Sequence, residues 1–353
     1  MSAPAAPTHI TDTRAATPAP PLATLWPVAV AAVRAAALAC QPHVGRGDPI
    51  GADGAATAAM RDALALAPGQ GTVVVGEGAK DGAPMLHPGE LLGRSGQPTF
   101  DIAVDPLEGT KACAAGLPGA MSAIAIAERD ALAGLPAASW YMEKLIVGAA
   151  GRGAIDITLP PAENAVNLAE QLGKPVGELG VVVLDKPRHR ELLEVLHGLG
   201  ARVHAPRDGD VAAGLLVLLA ESRLDLLIGV GGTPEGVLSA CATTALGGHM
   251  QARLAPQRED EAQRLADDDV DLARVYTEQD LAGEGSLFAA SGITDGEIVR
   301  APRMCEDRVS TETLVITTGI VQRVIERSRS PEHTSTHEVF EEDRSPAVGR
   351  PGR

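Results

Sequence analysis

Short apolar runs that end in glycine and reopen as helices recur along this 353-residue chain, and they constrain its fold more than any other feature. In the clearest, Leu224–Val230 runs into Gly231-Gly232, and Pro234-Glu235-Gly236 opens a helix through Ala245. Val181–Leu184 reads as another strand, and Arg188–Leu199 follows with apolar residues at helical spacing until Gly200. Arg202-Val-His-Ala then rises to Asp208-Gly-Asp210, and Val211–Ala220 is helical. Such alternation predicts an α/β protein, a sheet with helices packed on it. Ligands in such sheets bind beyond the carboxyl ends of strands, where Asp105, Asp208, Asp210 and Glu235 fall. The first half predicts helices over 28–40 and 53–66 and strands over 72–75, 100–104 and 120–127. Ile155-Asp-Ile-Thr-Leu159 alternates as a strand does, and a helix leads from Pro160-Pro161 to near Gly173. A lobe boundary is placed there. The expected organisation is a disordered segment 1–22, lobes 23–173 and 174–327, and a disordered tail 328–353.

The run Asp101-Ile-Ala-Val-Asp105-Pro-Leu-Glu108-Gly-Thr110 places two carboxylates and a hydroxyl within six residues at a strand end. Pro106 forbids simple continuation of the strand, and Gly109 permits a tight turn. The carboxylates can therefore converge. Converging carboxylates repel unless a cation lies between them, and hard divalent ions such as Mg²⁺ or Mn²⁺ are the usual answer. The plain alternative is a strand-to-turn junction with solvated acids.

Composition narrows the function classes. A net charge of −16 argues against sequence-independent nucleic-acid binding, which needs a basic face. It leaves a phosphorylated substrate open, because bound metals and a few placed basic residues reverse the local sign. Aromatics are only 2% of the chain, so Ala, Val and Leu must build the core. Cys40, Cys113, Cys241 and Cys305 lie far apart with no C-x-x-C pair, which disfavours zinc and a disulfide framework. No stretch is long and charge-free enough to span a bilayer, and the expectation is a cytoplasmic protein with no membrane partner.

Asp105-Pro-Leu-Glu-Gly-Thr110 resembles the metal-binding motif of the lithium-sensitive sugar and inositol phosphatases. Other segments narrow the resemblance to class II fructose-1,6-bisphosphatases: Gly45-Arg-Gly-Asp48, Ala52-Asp53-Gly-Ala-Ala56, Val75-Gly-Glu77-Gly, Tyr141-Met-Glu-Lys-Leu-Ile-Val-Gly148, Lys186-Pro-Arg188-His189, Asp208-Gly-Asp210-Val-Ala-Ala213, Gly231-Gly-Thr-Pro-Glu235-Gly236, Ser291-Gly-Ile-Thr294 and Thr311-Glu-Thr-Leu314. They cover roughly residues 28 to 326, in the family's order. The resemblance implies a layered α-β-α-β-α sandwich of two lobes with the site between them, and a homo-oligomer. It implies metal-dependent hydrolysis of the 1-phosphate of fructose 1,6-bisphosphate, a gluconeogenic step.

The resemblance also implies roles for residues. Asp53, Glu77, Asp105, Glu108 and Glu235 become the metal-site candidates, for two or more Mn²⁺ or Mg²⁺ ions. Thr110 would orient a water's proton with Asp53 as partner, although Thr110 also reads as a helix N-cap. Glu108, Gly109 and Thr110 would face the reacting phosphate, with backbone N–H groups after Gly109 available to an oxygen. Lys186, Pro187 and Arg188 would grip the second phosphate. Tyr141, Asp208, Gly209, Asp210 and Gly232 complete the substrate-binding set, with Asp208 and Asp210 as acceptors for sugar hydroxyls and Gly232 letting the backbone approach the sugar, and Lys144 is read as pairing with a nearby acid and is left out of the site. The chain departs from the family at Ala79 and Gly82, where glutamates are usual, and at Pro49-Ile50 in place of Lys-Asn. Sedoheptulose 1,7-bisphosphate, another small sugar or inositol phosphate, and a non-catalytic sugar-phosphate sensor are the alternatives.

Overall fold

The computed structural model describes residues 22–76, 85–96 and 98–329. Glu77, Ala79 and Gly82 lie outside the described residues. In chain order the helices are α1 (Trp26–Cys40), α2 (Pro49–Leu64), α3 (Thr110–Ala115), α4 (Pro161–Gln171), α5 (Arg190–Gly198), α6 (Asp210–Leu218), α7 (Thr233–Ala245), α8 (Glu259–Asp267) and α9 (Glu278–Leu281). The strands are β1 (Gln70–Val75), β2 (Leu91–Gly93), β3 (Pro98–Glu108), β4 (Met121–Glu128), β5 (Tyr141–Val147), β6 (Gly180–Val182), β7 (Arg202–His204), β8 (Leu226–Gly232), β9 (His249–Leu254), β10 (Tyr276–Thr277), β11 (Leu287–Gly292), β12 (Arg303–Cys305), β13 (Arg308–Thr317) and β14 (Ile320–Arg329).

They form two mixed sheets. The first runs β12-β13-β11-β4-β3-β1-β2, with β14 also paired to β13, and only β1 and β3 are parallel. The second runs β10-β9-β5-β8-β6-β7, with β6 parallel to β7 and β8. The sheets do not divide the chain at residue 173. β5 already belongs to the second sheet, and β11–β14 return to the first.

Strand alternation sends successive side chains to different cores. On the first sheet Phe100, Ile102, Val104, Ile124 and Ile126 face α1 and α2. Their neighbours Ala103, Ala123, Ala125 and Ala127 face a core shared with α6 and α7. The second sheet presents Met142, Ile146 and Leu227 to that shared core, and Leu145, Val147 and Ile228 to α4 and α5. Helix α7 is buried almost all round, through Val237, Leu238, Ala240, Cys241, Ala242 and Ala245. A helix so enclosed needs apolar residues on every face, and the alanines opposite it let the sheet approach.

Two local expectations are corrected. β3 does not stop at Asp105-Pro106. Asp105 pairs with Ala123 and Glu108 with Met121, so three steps on β3 match two on β4. This is a bulge, which admits Pro106 because the β1 ladder has already ended at Ala103. Residues 155–159 form no strand. Asp156 Oδ1 instead accepts from Thr158 N at 2.9 Å and Thr158 Oγ1 at 2.7 Å, an Asx turn that competes with the ladder. At the other end, Ser328 and Arg329 complete β14, and 330–353 lie outside the described residues. No described helix is long and apolar enough to cross a membrane.

Glu278, 2% exposed, joins three separate segments. It accepts from His249 Nδ1 at 2.9 Å, Met250 N at 3.0 Å and Arg152 Nη1 at 3.3 Å. Burial pushes its carboxyl up, but the His249 and Met250 bonds outweigh burial and hold it at about 2. Its contribution to stability is therefore present above the ordinary value of 4.5 and is lost as pH falls toward 2. Glu278→Ala should cost about 2–3 kcal/mol at pH 7 in chemical denaturation, with the difference shrinking across that acid window. A constant difference down to pH 2.5 would contradict this assignment.

Candidate active site

The bulged end of β3 carries the acidic run to the start of α6. Glu108 is 4% exposed, and its Oε1 accepts from Val211 N, a backbone amide in the first turn of α6. This bond ties a strand of the first sheet to a helix packed with the second. Gly109 follows at φ 79° and caps α3, while Thr110 is its first helical residue. The cap is thus Gly109 and not Thr110. The Thr110 hydroxyl donates backwards to Leu107 O at 3.0 Å, which leaves its lone pairs to accept.

Glu108 is the electrostatic centre of the site. Burial pushes its carboxyl well above the usual carboxylate range, against the opposing Val211 bond. Asp210, Glu235 and Asp208 push it further, so these four acids share one locality. Glu108 Oε2 is buried and has no hydrogen-bond partner among the described residues. The same holds for Thr233 Oγ1, at the β8–α7 junction next to Gly232. An unpartnered carboxylate oxygen among like charges is a donor awaiting a cation, and an all-oxygen set suits a hard one. No group of three Asp, Glu, His or Cys placed to hold an ion occurs among the described residues, and Glu77 lies outside them.

The other predicted residues fall around this centre. Glu235 stands in the first turn of α7, directly after β8. A β-carbon at Gly232 would overlap the Glu235 carboxylate, and one at Gly231 would overlap that of Asp210. Gly232 thus makes room for a side chain, where the sequence reading gave it to the approach of a sugar. Asp105 is half-buried on β3. Asp53 lies on α2, which packs on α3, and it is close enough to Cys40 to raise that thiol, behind the larger effects of burial and Cys113.

The basic side is built at the end of β6. Lys186 Nζ lies 3.5 Å from Asp208 Oδ1. Pro187 starts a short 3₁₀ turn. Arg188 donates from Nε and Nη2 to Val230 O, at 3.0 and 2.7 Å, and lies 5.4 Å from the Tyr141 ring centroid. His189 anchors the turn. It accepts from Val230 N at 2.8 Å, so Nδ1 carries the proton donated to Leu184 O at 2.7 Å. Gly209, at φ 93°, turns the chain between Asp208 and Asp210.

Lys144 pairs with an acid, as the sequence reading has it, and that acid is Asp210 of the substrate-binding set. Lys144 is 1% exposed and also donates to Gly232 O at 2.9 Å. Asp210 is thus engaged by a protein cation, which changes the free sugar-hydroxyl acceptor expected of it. The alternation Met142, Lys144, Ile146 on β5 carried the signal, since the flanking two point into the shared core. Glu261 is a further residue the sequence did not mark. Its Oε1 accepts from Trp140 N and Tyr141 N, both at 2.9 Å, and sets the start of β5.

The site geometry has two consequences. Glu108→Gln should stabilise the metal-free protein by about 1–2 kcal/mol at pH 8, because it removes a buried charge among acids. The gain should shrink as pH falls through 4.5 and vanish below it, where wild-type Glu108 is protonated in both states, and denaturation curves across pH check this. Gly232→Ala should leave melting within a few degrees yet displace the Glu235 carboxylate, and if Glu235 ligates a divalent ion, affinity for that ion should fall about tenfold, as calorimetry would read.

Comparison with known proteins shows the family of the chain. The model of the family described as bacterial fructose-1,6-bisphosphatase, glpX-encoded, matches residues 24–328. Fructose-1,6-bisphosphatase 2 class 2 of Escherichia coli strain K12 is 43% identical over 305 residues, covering 82% of this chain and 94% of that protein. Fructose-1,6-bisphosphatase class 2 of Haemophilus influenzae is 42% identical over 296 residues, covering 80% and 88%. Fructose-1,6-bisphosphatase 1 class 2 of E. coli K12 is 41% identical over 295 residues, covering 80% and 87%. The chain belongs to the glpX-type, class II fructose-1,6-bisphosphatase family.

Proposed function

We propose that this protein hydrolyses the 1-phosphate of fructose 1,6-bisphosphate, giving fructose 6-phosphate and phosphate. The observation that carries the reading is the buried Glu108, one oxygen of which has no partner among the described residues, set among acids that include Asp208, which itself pairs with Lys186 at the head of the basic Pro187–His189 turn. One end of the site calls for cations and the other for an anion, as a bisphosphate bridged by metal at its reacting end would require.

Asp53, Glu77, Asp105, Glu108 and Glu235 would hold the ions. When bound, ions of the Mg²⁺ or Mn²⁺ class supply charge neutralisation of the phosphate and acidify a water. Thr110, whose proton is committed to Leu107 O, accepts from the attacking water and orients it, with Asp53 as its partner. Lys144 neutralises Asp210 and holds Gly232 O, which fixes the β8–α7 junction that carries Glu235. Arg188, with two nitrogens held by Val230 O, presents the rest of its guanidinium to the distal phosphate, and Lys186 adds charge beside it. Tyr141 backs Arg188 from its ring face.

The three separate cores support a five-layer α-β-α-β-α order, with the site where β3, α3, α6 and α7 meet. A homo-oligomer in the cytoplasm belongs to the same reading.

The test is phosphate release from fructose 1,6-bisphosphate with Mg²⁺, with Mn²⁺ and after metal removal, beside sedoheptulose 1,7-bisphosphate and inositol 1-phosphate. Release should need metal and should favour fructose 1,6-bisphosphate. Asp105→Ala should lower kcat/KM at least about 10³-fold. Arg188→Ala should instead raise KM about ten- to a hundredfold with little change in kcat. Equal losses of kcat in both variants would refute the division between reacting and anchoring ends.

A further inference from the structure

Away from the acidic site, a cavity of about 560 Å³ is lined by the 296–303 segment and by β13 and β14. Its wall holds Arg300, Arg303, Arg323 and Arg327 against two acids, Glu297 and Glu312. In a chain of net charge −16, four arginines around one cavity are a local reversal of sign.

These arginines are largely unspent. Arg323 is engaged, donating from Nη1 to Ile298 O at 2.5 Å and Glu312 at 2.9 Å, and from Nη2 to Glu221 at 3.3 Å. Arg300 and Arg303 reach Glu312 and Asp295 only at 4.0 Å, with side chains 67% and 64% exposed, a geometry that contributes little. Arg327 has no ion-pair partner among the described residues. Guanidinium groups crowded in this way repel one another and match phosphate oxygens bidentately. The volume suits a small molecule, and Ile298 and Ile325 add an apolar wall for its uncharged part.

The cavity wall is also bonded to the active site. Segment 293–301 supplies Ile298 and Arg300, and its first residues clasp the turn before β4. Gly119 N donates to Asp295 O at 2.9 Å, Ala120 N donates to Thr294 Oγ1 at 2.9 Å, and Ala120 O accepts from Ile293 N at 2.9 Å and Thr294 N at 3.0 Å. That turn lies against Gly109 and Gly209. A β-carbon at Gly109 would lie 3.2 Å from Ala120 Cα, and one at Gly209 would lie 4.0 Å from Gly119 O. Gly109 caps the helix that begins at Thr110, and Gly209 precedes Asp210. A shift of the segment would therefore be felt at both.

We propose that the arginine-lined cavity is a second site, which binds a phosphate-bearing small molecule of two or more negative charges and is coupled to the active site through segment 293–301. Binding there changes the hydrolytic rate, and by linkage substrate binding changes affinity for the anion.

Pyrophosphate serves as the probe, titrated by calorimetry into the full chain after metal removal on a chelating resin, at fixed ionic strength. Wild type should bind it, and so should Lys186→Ala/Arg188→Ala, which lacks the active-site cationic grip. Arg303→Gln/Arg327→Gln should bind at least tenfold more weakly, while keeping wild-type melting and basal hydrolysis, since both side chains are exposed. In the metal-loaded enzyme, pyrophosphate should alter kcat of wild type but not of the double arginine variant. No binding by wild type, or undiminished binding by Arg303→Gln/Arg327→Gln, would overturn the site. Loss of binding in Lys186→Ala/Arg188→Ala alone would assign the anion to the active site and overturn it equally. Binding with no effect on kcat would overturn the coupling. The calorimetric arm does not depend on which phosphate ester the enzyme hydrolyses, so its failure is separable from failure of the proposed activity.

Discussion

The hydrogen bond from Val211 N to the buried Glu108 carboxylate is the contact on which the site depends. It joins the bulged end of β3 to the first turn of α6, and so brings two sheets' worth of structure to one point. The bond forms only if α6 can lie close to the first sheet. Alanines at 103, 123, 125 and 127 make that possible, because they present a thin face to the shared core. The scarcity of aromatics is thus matched to the architecture. A helix buried on all sides, as α7 is, could not fit against a face of large residues.

The same contact sets the energetic character of the protein. Glu108 is held where its charge is disfavoured by burial and by three neighbouring acids. Lys144 offsets part of this by pairing with Asp210, but Glu108 Oε2 is left without a partner among the described residues. Stability is sacrificed at the place where a bound cation would restore it, a pattern expected of functional sites. Away from the cleft, Glu278 shows the opposite design. Its carboxylate is fully engaged, and its charge is a source of stability.

Local pattern made much of the architecture legible. The helices α1, α2, α5, α6 and α7 and the strands β1, β3, β4 and β8 were readable because each combines an apolar period with a glycine or proline boundary. β9 and β11 were not singled out, since each pairs with a strand far away in the chain, β5 and β4, and β13 and β14 were missed because this local hairpin is of mixed composition. Residues 155–159 had the alternation of a strand, yet the Asp156 side chain satisfied the local backbone first. Pro106 read as a stop because a proline cannot give a ladder hydrogen bond. The bulge and the early end of β1 removed the need for one.

The sequence by itself determined the class of chemistry. Acids at strand ends, a hydroxyl beside a glycine turn and a Lys-Pro-Arg segment are local features, and their order along the chain carries the family likeness. Only the tertiary structure decided which of these groups meet. Lys144 is buried against Asp210 because β5 pairs with β8 and α6 packs over both, a relation spanning 66 residues. Glu108 likewise meets Val211 across 103 residues, and Glu261 meets Tyr141 across 120. The physical reason is that charge and packing act through space. Sequence periodicity reports which face a residue takes, but the identity of what it meets there depends on distant strands and helices.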